Sequence, residues 1–174
     1  HLAAGDLTGD GRVEVVALLQ GGGAIAIRND GSELWRLTPA ELPQAEFSAN
    51  GSVALADLEG DGTPEVIVGR VVMDGPTGAV RWIGTGDRGR NGQGPLSCVA
   101  DVVPTSPGME IVAGGTVYAG ADGAILWETA GDGFCAITHI VDRPRAPGRA
   151  GPPAVVRAVA GRLRLHDRPT RPLP

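Results

Sequence analysis

One pattern is written three times along this chain, and a chain that repeats itself folds as copies of one unit stacked side by side. The copies are AAGDLTGDGRVEVVALLQGGGAIAIRNDGSELWRL at 3–37, VALADLEGDGTPEVIVGRVVMDGPTGAVRWIG at 53–84 and CVADVVPTSPGMEIVAGGTVYAGADGAILWET at 98–129. A fourth, partial copy lies within 135–171. Three rows of anchors align them. Trp35, Trp82 and Trp127 are spaced 47 and 45 residues apart. Gly31, Gly78 and Gly123 each stand four residues before a tryptophan, and Asp6, Asp57 and Asp101 open the copies.

Each copy reads as four short strands. In the second, 52–57 alternates small and apolar residues, and 58–63 is an acidic, glycine-bearing loop. Segments 65–69 and 70–74 are β-branched and apolar, 75–78 is a turn, and 79–83 carries the tryptophan. Strands of about five residues separated by turns build an antiparallel meander. Composition agrees: 28 glycines and 14 prolines with 3% aromatic residues exclude a helical bundle and favour many turns.

A four-stranded unit of about 45 residues is the size of a β-propeller blade. The expected fold is therefore all-β, one repeat domain over 1–174 with blades near 1–40, 50–86 and 96–130 and a partial one at 134–174. The recurring tryptophan is expected to pack between neighbouring blades. The fourth unit ends before a tryptophan-bearing strand, and no spare strand at the other end could close a ring. Three blades and a part fall short of the usual four to eight. The sequence therefore predicts either a segment of a longer propeller or open edges covered by a partner chain.

The acidic loops carry the sharpest chemistry. Asp6-Leu-Thr8-Gly-Asp10-Gly-Arg12-Val-Glu14 recurs as Asp57-Leu-Glu59-Gly-Asp61-Gly-Thr63-Pro-Glu65. Oxygen donors at positions 1, 3, 5 and 9, the backbone carbonyl at position 7 and glycine at 6 match the first part of an EF-hand-like calcium loop. Calcium takes six to eight oxygens in a forgiving geometry, and without a cation so many carboxylates repel one another. The metal donors expected are thus Asp6, Thr8, Asp10, Arg12 and Glu14 in the first loop, and Asp57, Glu59, Asp61, Thr63 and Glu65 in the second. The third copy, Asp101 to Glu110, lacks acids at positions 3 and 5, and two prolines there read as a rigid substitute for a metal.

The stretches GDLTGDGRVEVV at 5–16, ADLEGDGTPEVIVG at 56–69, RNDGSELW, GPTGAVRW and GADGAILW resemble FG-GAP/VCBS-type repeats. Such repeats build β-propellers, including the head of integrin α chains and many bacterial surface proteins. Literal Phe-Gly and Gly-Ala-Pro elements are absent, so the chain looks more like the bacterial branch. The resemblance implies calcium held by the loop aspartates and a secreted or cell-surface setting.

Charge narrows the partners. Residues 1–142 hold 19 acids and 7 arginines, net −12, while 143–174 hold 8 arginines and Asp167, net +7. The acidic part argues against nucleic acid, which needs a basic face. No apolar run is long enough for a membrane-spanning helix. The chain has no lysine, which excludes Schiff-base and P-loop lysine chemistry. Its three histidines are scattered without zinc-ligand spacing, and no catalytic constellation or cofactor site is apparent. Cys98 and Cys135 occupy matching positions in successive copies, either as a disulfide or as two separate buried thiols. The 84–95 loop, with Arg88 and Arg90, reads as a connector or a binding loop. The expected function is a non-catalytic, calcium-binding propeller module that presents loops to a protein or carbohydrate ligand outside the cell. The alternatives are a propeller segment of a secreted polysaccharide-acting enzyme and a structural segment of a cell-envelope assembly.

Overall fold

A computed structural model describes residues 1–42, 51–89 and 96–128 in full, and the strand backbone at 137–140, 155–159 and 162–165. The first unit is a sheet of β1 (Leu2–Gly5), β2 (Glu14–Leu18), β3 (Ala24–Ile27) and β4 (Glu33–Leu37). The second holds β5 (Ala54–Ala56), β6 (Glu65–Val68), β7 (Val71–Met73) and β8 (Val80–Ile83). The third holds β9 (Ser97–Ala100), β10 (Glu110–Ala113), β11 (Thr116–Ala119) and β12 (Ile125–Glu128). Each is an antiparallel meander whose strands pair in chain order. A further three-stranded meander joins β13 (Ile137–Ile140), β14 (Val155–Val159) and β15 (Arg162–Leu165). The expected all-β units are therefore present, and among the described residues no helix occurs. No sheet closes on itself.

The sheets stack face against face, and the apolar alternation of the strands dictates how. Val66, Val68, Val71 and Met73 on one face of the second sheet join Val16, Leu18, Ala24, Ala26, Trp35 and Leu37 of the first in one buried cluster. Ile67 and Val72 on its other face join Ile111, Ala113 and Tyr118 of the third. A sheet covered on both faces needs apolar residues at every position rather than every second one. This is why Glu65–Val68 and Val71–Met73 are buried throughout. The first sheet is covered on one face: Val15, Ala17, Ile25 and Ile27 on the other are only half-buried. The first strands of the units contact one another in series, β1 with β5, β5 with β9 and β9 with β13.

Trp35 and Trp82 fasten consecutive units, as the tryptophan recurrence predicts. Trp35 Nε1 donates to Gly75 O at 2.7 Å, and Trp82 Nε1 donates to Gly120 O at 3.0 Å. The indole planes lie on the turns of the next unit. A Cβ built on Gly78 would stand 2.6 Å from the Trp35 ring, and one on Gly123 2.5 Å from the Trp82 ring. Glycine at these turns is thus fixed by a close approach as well as by a positive φ. Gly31, the same turn in the first unit, meets nothing within 4 Å.

Each tryptophan strand carries a β-bulge at the same place. Trp35 pairs with Ala26 and Glu33 with Ile27, so Leu34 is the extra residue. By the same count the extra residue is Arg81 in β8 and Leu126 in β12.

Candidate metal centre

Both acidic loops span the turn between the first and second strands of their sheets, at the end marked by the pairs Gly5–Glu14 and Ala56–Glu65. Within each loop the first aspartate acts as an internal cap. Asp6 Oδ1 accepts from the N–H of Gly9 at 2.8 Å and from those of Thr8 and Asp10 at 3.2 Å, while Oδ2 accepts from Gly11 N at 2.7 Å. Asp57 repeats this with Gly60, Asp61 and Gly62 at 2.7, 3.0 and 2.8 Å. Gly9, Gly11, Gly60 and Gly62 turn at positive φ, which aims the loop amides inward. The amide of Gly11 foremost, then those of Gly9, Thr8 and Asp10, holds the Asp6 carboxyl below its ordinary value against a smaller opposing effect of desolvation. The position-5 aspartates close the next turn: Asp10 accepts from Arg12 N, and Asp61 from both the amide and the hydroxyl of Thr63. That hydroxyl is the main reason the Asp61 carboxyl also lies low.

The glutamates at position 9 each clamp a backbone amide. Glu14 and Glu65 are buried, and each accepts the backbone N–H of the residue after the opening aspartate, Leu7 or Leu58, at 2.9 Å. The third copy keeps this device without the acidic loop: Glu110, fully buried, accepts from Val102 and Val103 at 2.7 and 2.9 Å. Its place opposite Ala100 shows that it belongs to the same row. Sequence spacing alone assigned Glu14 and Glu65 to a metal. The presence of Glu110 in a copy lacking the other acids signals that the row also has this loop-clamping role.

The two loops differ in what else faces them. Thr8 Oγ1 is buried without a hydrogen-bond partner. An orphaned hydroxyl oxygen at position 3, on one loop with the carboxylates of Asp6, Asp10 and Glu14, is a donor set suited in kind to a hard cation. In the second loop a cation is already present. Arg81 Nη1 donates to Glu65 Oε1 at 2.7 Å, and Nη2 donates to Glu59 Oε1. These two carboxylates, the Glu59 contact first, raise the Arg81 pKa. Arg81 was not among the residues singled out by sequence. Among the described residues no three acidic, histidine or cysteine side chains converge as a metal cluster.

The 84–89 segment is docked onto the third unit. Asp87 accepts from Gly89 N and Gly115 N, its own amide donates to Thr116 Oγ1, and Tyr118 Oη donates to Asp87 O at 2.8 Å. The rest of that loop, Arg90 included, lies outside the described residues. Cys98 sits on β9, and Cys135 also lies outside them.

Comparison with known proteins agrees with this architecture. A family model described as FG-GAP-like repeat matches residues 6–68. Among solved structures, the Vibrio cholerae biofilm matrix protein Bap1 is 27% identical with a TM-score of 0.53. The match covers 73% of this chain and 19% of Bap1, so the chain corresponds to about a fifth of that protein's length. The rhamnogalacturonan lyase YesW, 21% identical over 74% of this chain and 31% of its own, has a TM-score of 0.35. No curated protein matches the sequence. The matched segment holds both acidic loops and Trp35, so the likeness to FG-GAP-like repeats extends over residues 6–68 of the chain.

Proposed function

We propose that the chain is a non-catalytic, calcium-stabilised segment of a β-propeller that works outside the cell as a binding or adhesion module. The observation that carries this reading is the Thr8 hydroxyl, buried and unpartnered in the middle of an acidic loop that lies within the FG-GAP-like match. Asp6, Thr8, Asp10, Glu14 and the carbonyl of Arg12 would hold the ion. Bound calcium would supply positive charge and tie the turn between β1 and β2, which in turn fixes the end of the sheet. Asp57, Glu59, Asp61, Thr63 and Glu65 form the second acidic loop of the same design.

Serial contact of the units' first strands and face-to-face stacking support a propeller arrangement. The half-covered face of the first sheet supports a further blade or partner chain placed against it. An extracellular role is supported by the likeness to a biofilm matrix protein. A protein or carbohydrate ligand would then meet the loops at one end of the stack. Among the described residues no helix is long and apolar enough to cross a membrane.

The test compares thermal unfolding of the full chain in EGTA and in millimolar calcium. An ion that binds only the folded state at a hundredfold excess over Kd adds about 2.7 kcal/mol. The expected result is a higher melting temperature with calcium, lost in Asp6→Ala/Asp10→Ala. An unchanged melting temperature refutes the calcium reading. Polysaccharide binding on a glycan array addresses the adhesive role, and release of unsaturated sugars from the same glycans would favour the enzyme alternative.

A further inference from the structure

We infer that Arg81 is the resident cation of the second acidic loop, standing where a metal would otherwise neutralise it. The inference deepens the calcium reading by dividing the two loops, and it rests on three observations. First, the guanidinium reaches two carboxylates of one loop, Glu59 at position 3 and Glu65 at position 9, from a different strand. Second, Arg81 is the extra residue of the β8 bulge. A bulge re-aims the side chain it carries. The same bulge in β4 and β12 carries Leu34 and Leu126, so the backbone device is common and the charge is particular to the second unit.

Third, the charge follows the acid. Only the second copy has a carboxylate at position 3, where the first has Thr8 and the third has no acidic loop. Glu65 is 5% exposed at its side chain, so a carboxylate left there without a partner would be costly. A planar guanidinium suits two separate carboxylates, because its N–H groups fan out in fixed directions. Arg81 thus consumes oxygens that a calcium ion would need, and the loop richer in acids becomes the one less dependent on metal.

The experiment uses the full chain and two variants. Arg81→Leu places at the bulge the residue the other units have, and Glu59→Thr gives the second loop the donor set of the first. Calcium is titrated by calorimetry, and melting is followed in EGTA and in calcium. Wild type should take up one equivalent, removed by Asp10→Ala. Arg81→Leu should melt about 2–4 °C or more below wild type in EGTA. It should then bind a second equivalent and recover in calcium. Glu59→Thr should weaken the hold on Arg81 and shift melting the same way by less. Two equivalents in wild type, or an Arg81→Leu protein that melts like wild type in EGTA, overturns the inference. If Arg81→Leu loses stability in EGTA but no protein binds calcium, the counter-ion role stands and the calcium reading falls.

Discussion

Replacing Trp35 by alanine and, separately, by phenylalanine tests whether the indoles hold the units together. Trp35 is 8% exposed, lies on the turn at Gly78 and donates to Gly75 O. A tryptophan buries about 150–250 Å². At about 25 cal/mol per Å² that amounts to roughly 4–6 kcal/mol as an upper bound. Measured truncations of this kind cost about 3–5 kcal/mol. Trp35→Phe keeps most of the apolar area but leaves the Gly75 carbonyl without its donor, which costs about 1–3 kcal/mol. The glycines give an internal control. Gly78→Ala forces a Cβ into the Trp35 ring at a positive φ, whereas Gly31→Ala meets only the backbone strain of about 1–2 kcal/mol. Urea unfolding followed by near-ultraviolet circular dichroism gives the totals, and hydrogen exchange locates them. In a stack of units with nearest-neighbour coupling, Trp35→Ala should speed exchange in β1–β4 far more than in β9–β12. A cost below about 1 kcal/mol for Trp35→Ala, or equal costs for Gly31→Ala and Gly78→Ala, would refute the latch.

Tyr118 gives a pH test. Desolvation by burial raises its phenol above the ordinary value. The folded state therefore keeps the proton longer than the unfolded state. Its contribution is complete below the unfolded value of about 10 and is lost as pH rises through the folded value. As the chain has one tyrosine, ultraviolet titration reads it directly, and Tyr118→Phe should flatten the alkaline loss of stability. A second comparison sets Ile27 against Met73, equivalent residues on the first and second sheets. Met73→Thr should cost about 2–5 kcal/mol by denaturant unfolding, and Ile27→Thr about 1 kcal/mol or less, because its face is open. Equal costs would show that something covers both faces alike.

Much of the architecture was legible because repetition makes local signals additive. The segments 65–69, 70–74 and 79–83 read from alternation and turns correspond to Glu65–Val68, Val71–Met73 and Val80–Ile83. The packing role of the tryptophans followed from their spacing alone, since an aromatic residue recurring at one place in each unit has the next unit as its natural neighbour. The fine structure of the loops was not legible. Spacing records which residues are near in the chain, but not which oxygen of a carboxylate is already taken. Asp6 and Asp57 accept loop amides, and Glu14 and Glu65 clamp the following backbone N–H. A nine-residue pattern contains the same letters in either case.

Arg81 marks the sharper limit, because its partners lie 22 and 16 residues away, Glu59 before β6 and β7 and Glu65 on β6. No window of sequence around the loop contains it. Its signal is instead a difference between copies: at the position before the tryptophan two units have leucine and one has arginine. In a repeat, positions shared by every copy report what the fold requires, and positions that differ in one copy report what that copy does. A leucine at 34 and 126 continues the apolar strand and needs no explanation. An arginine at 81 must place a charge somewhere, and the unit that carries it also has a glutamate at the third position of its loop. The paired departures in one copy predict a contact between them, and the bulge in β8 supplies the turn of the backbone that lets the side chain reach it.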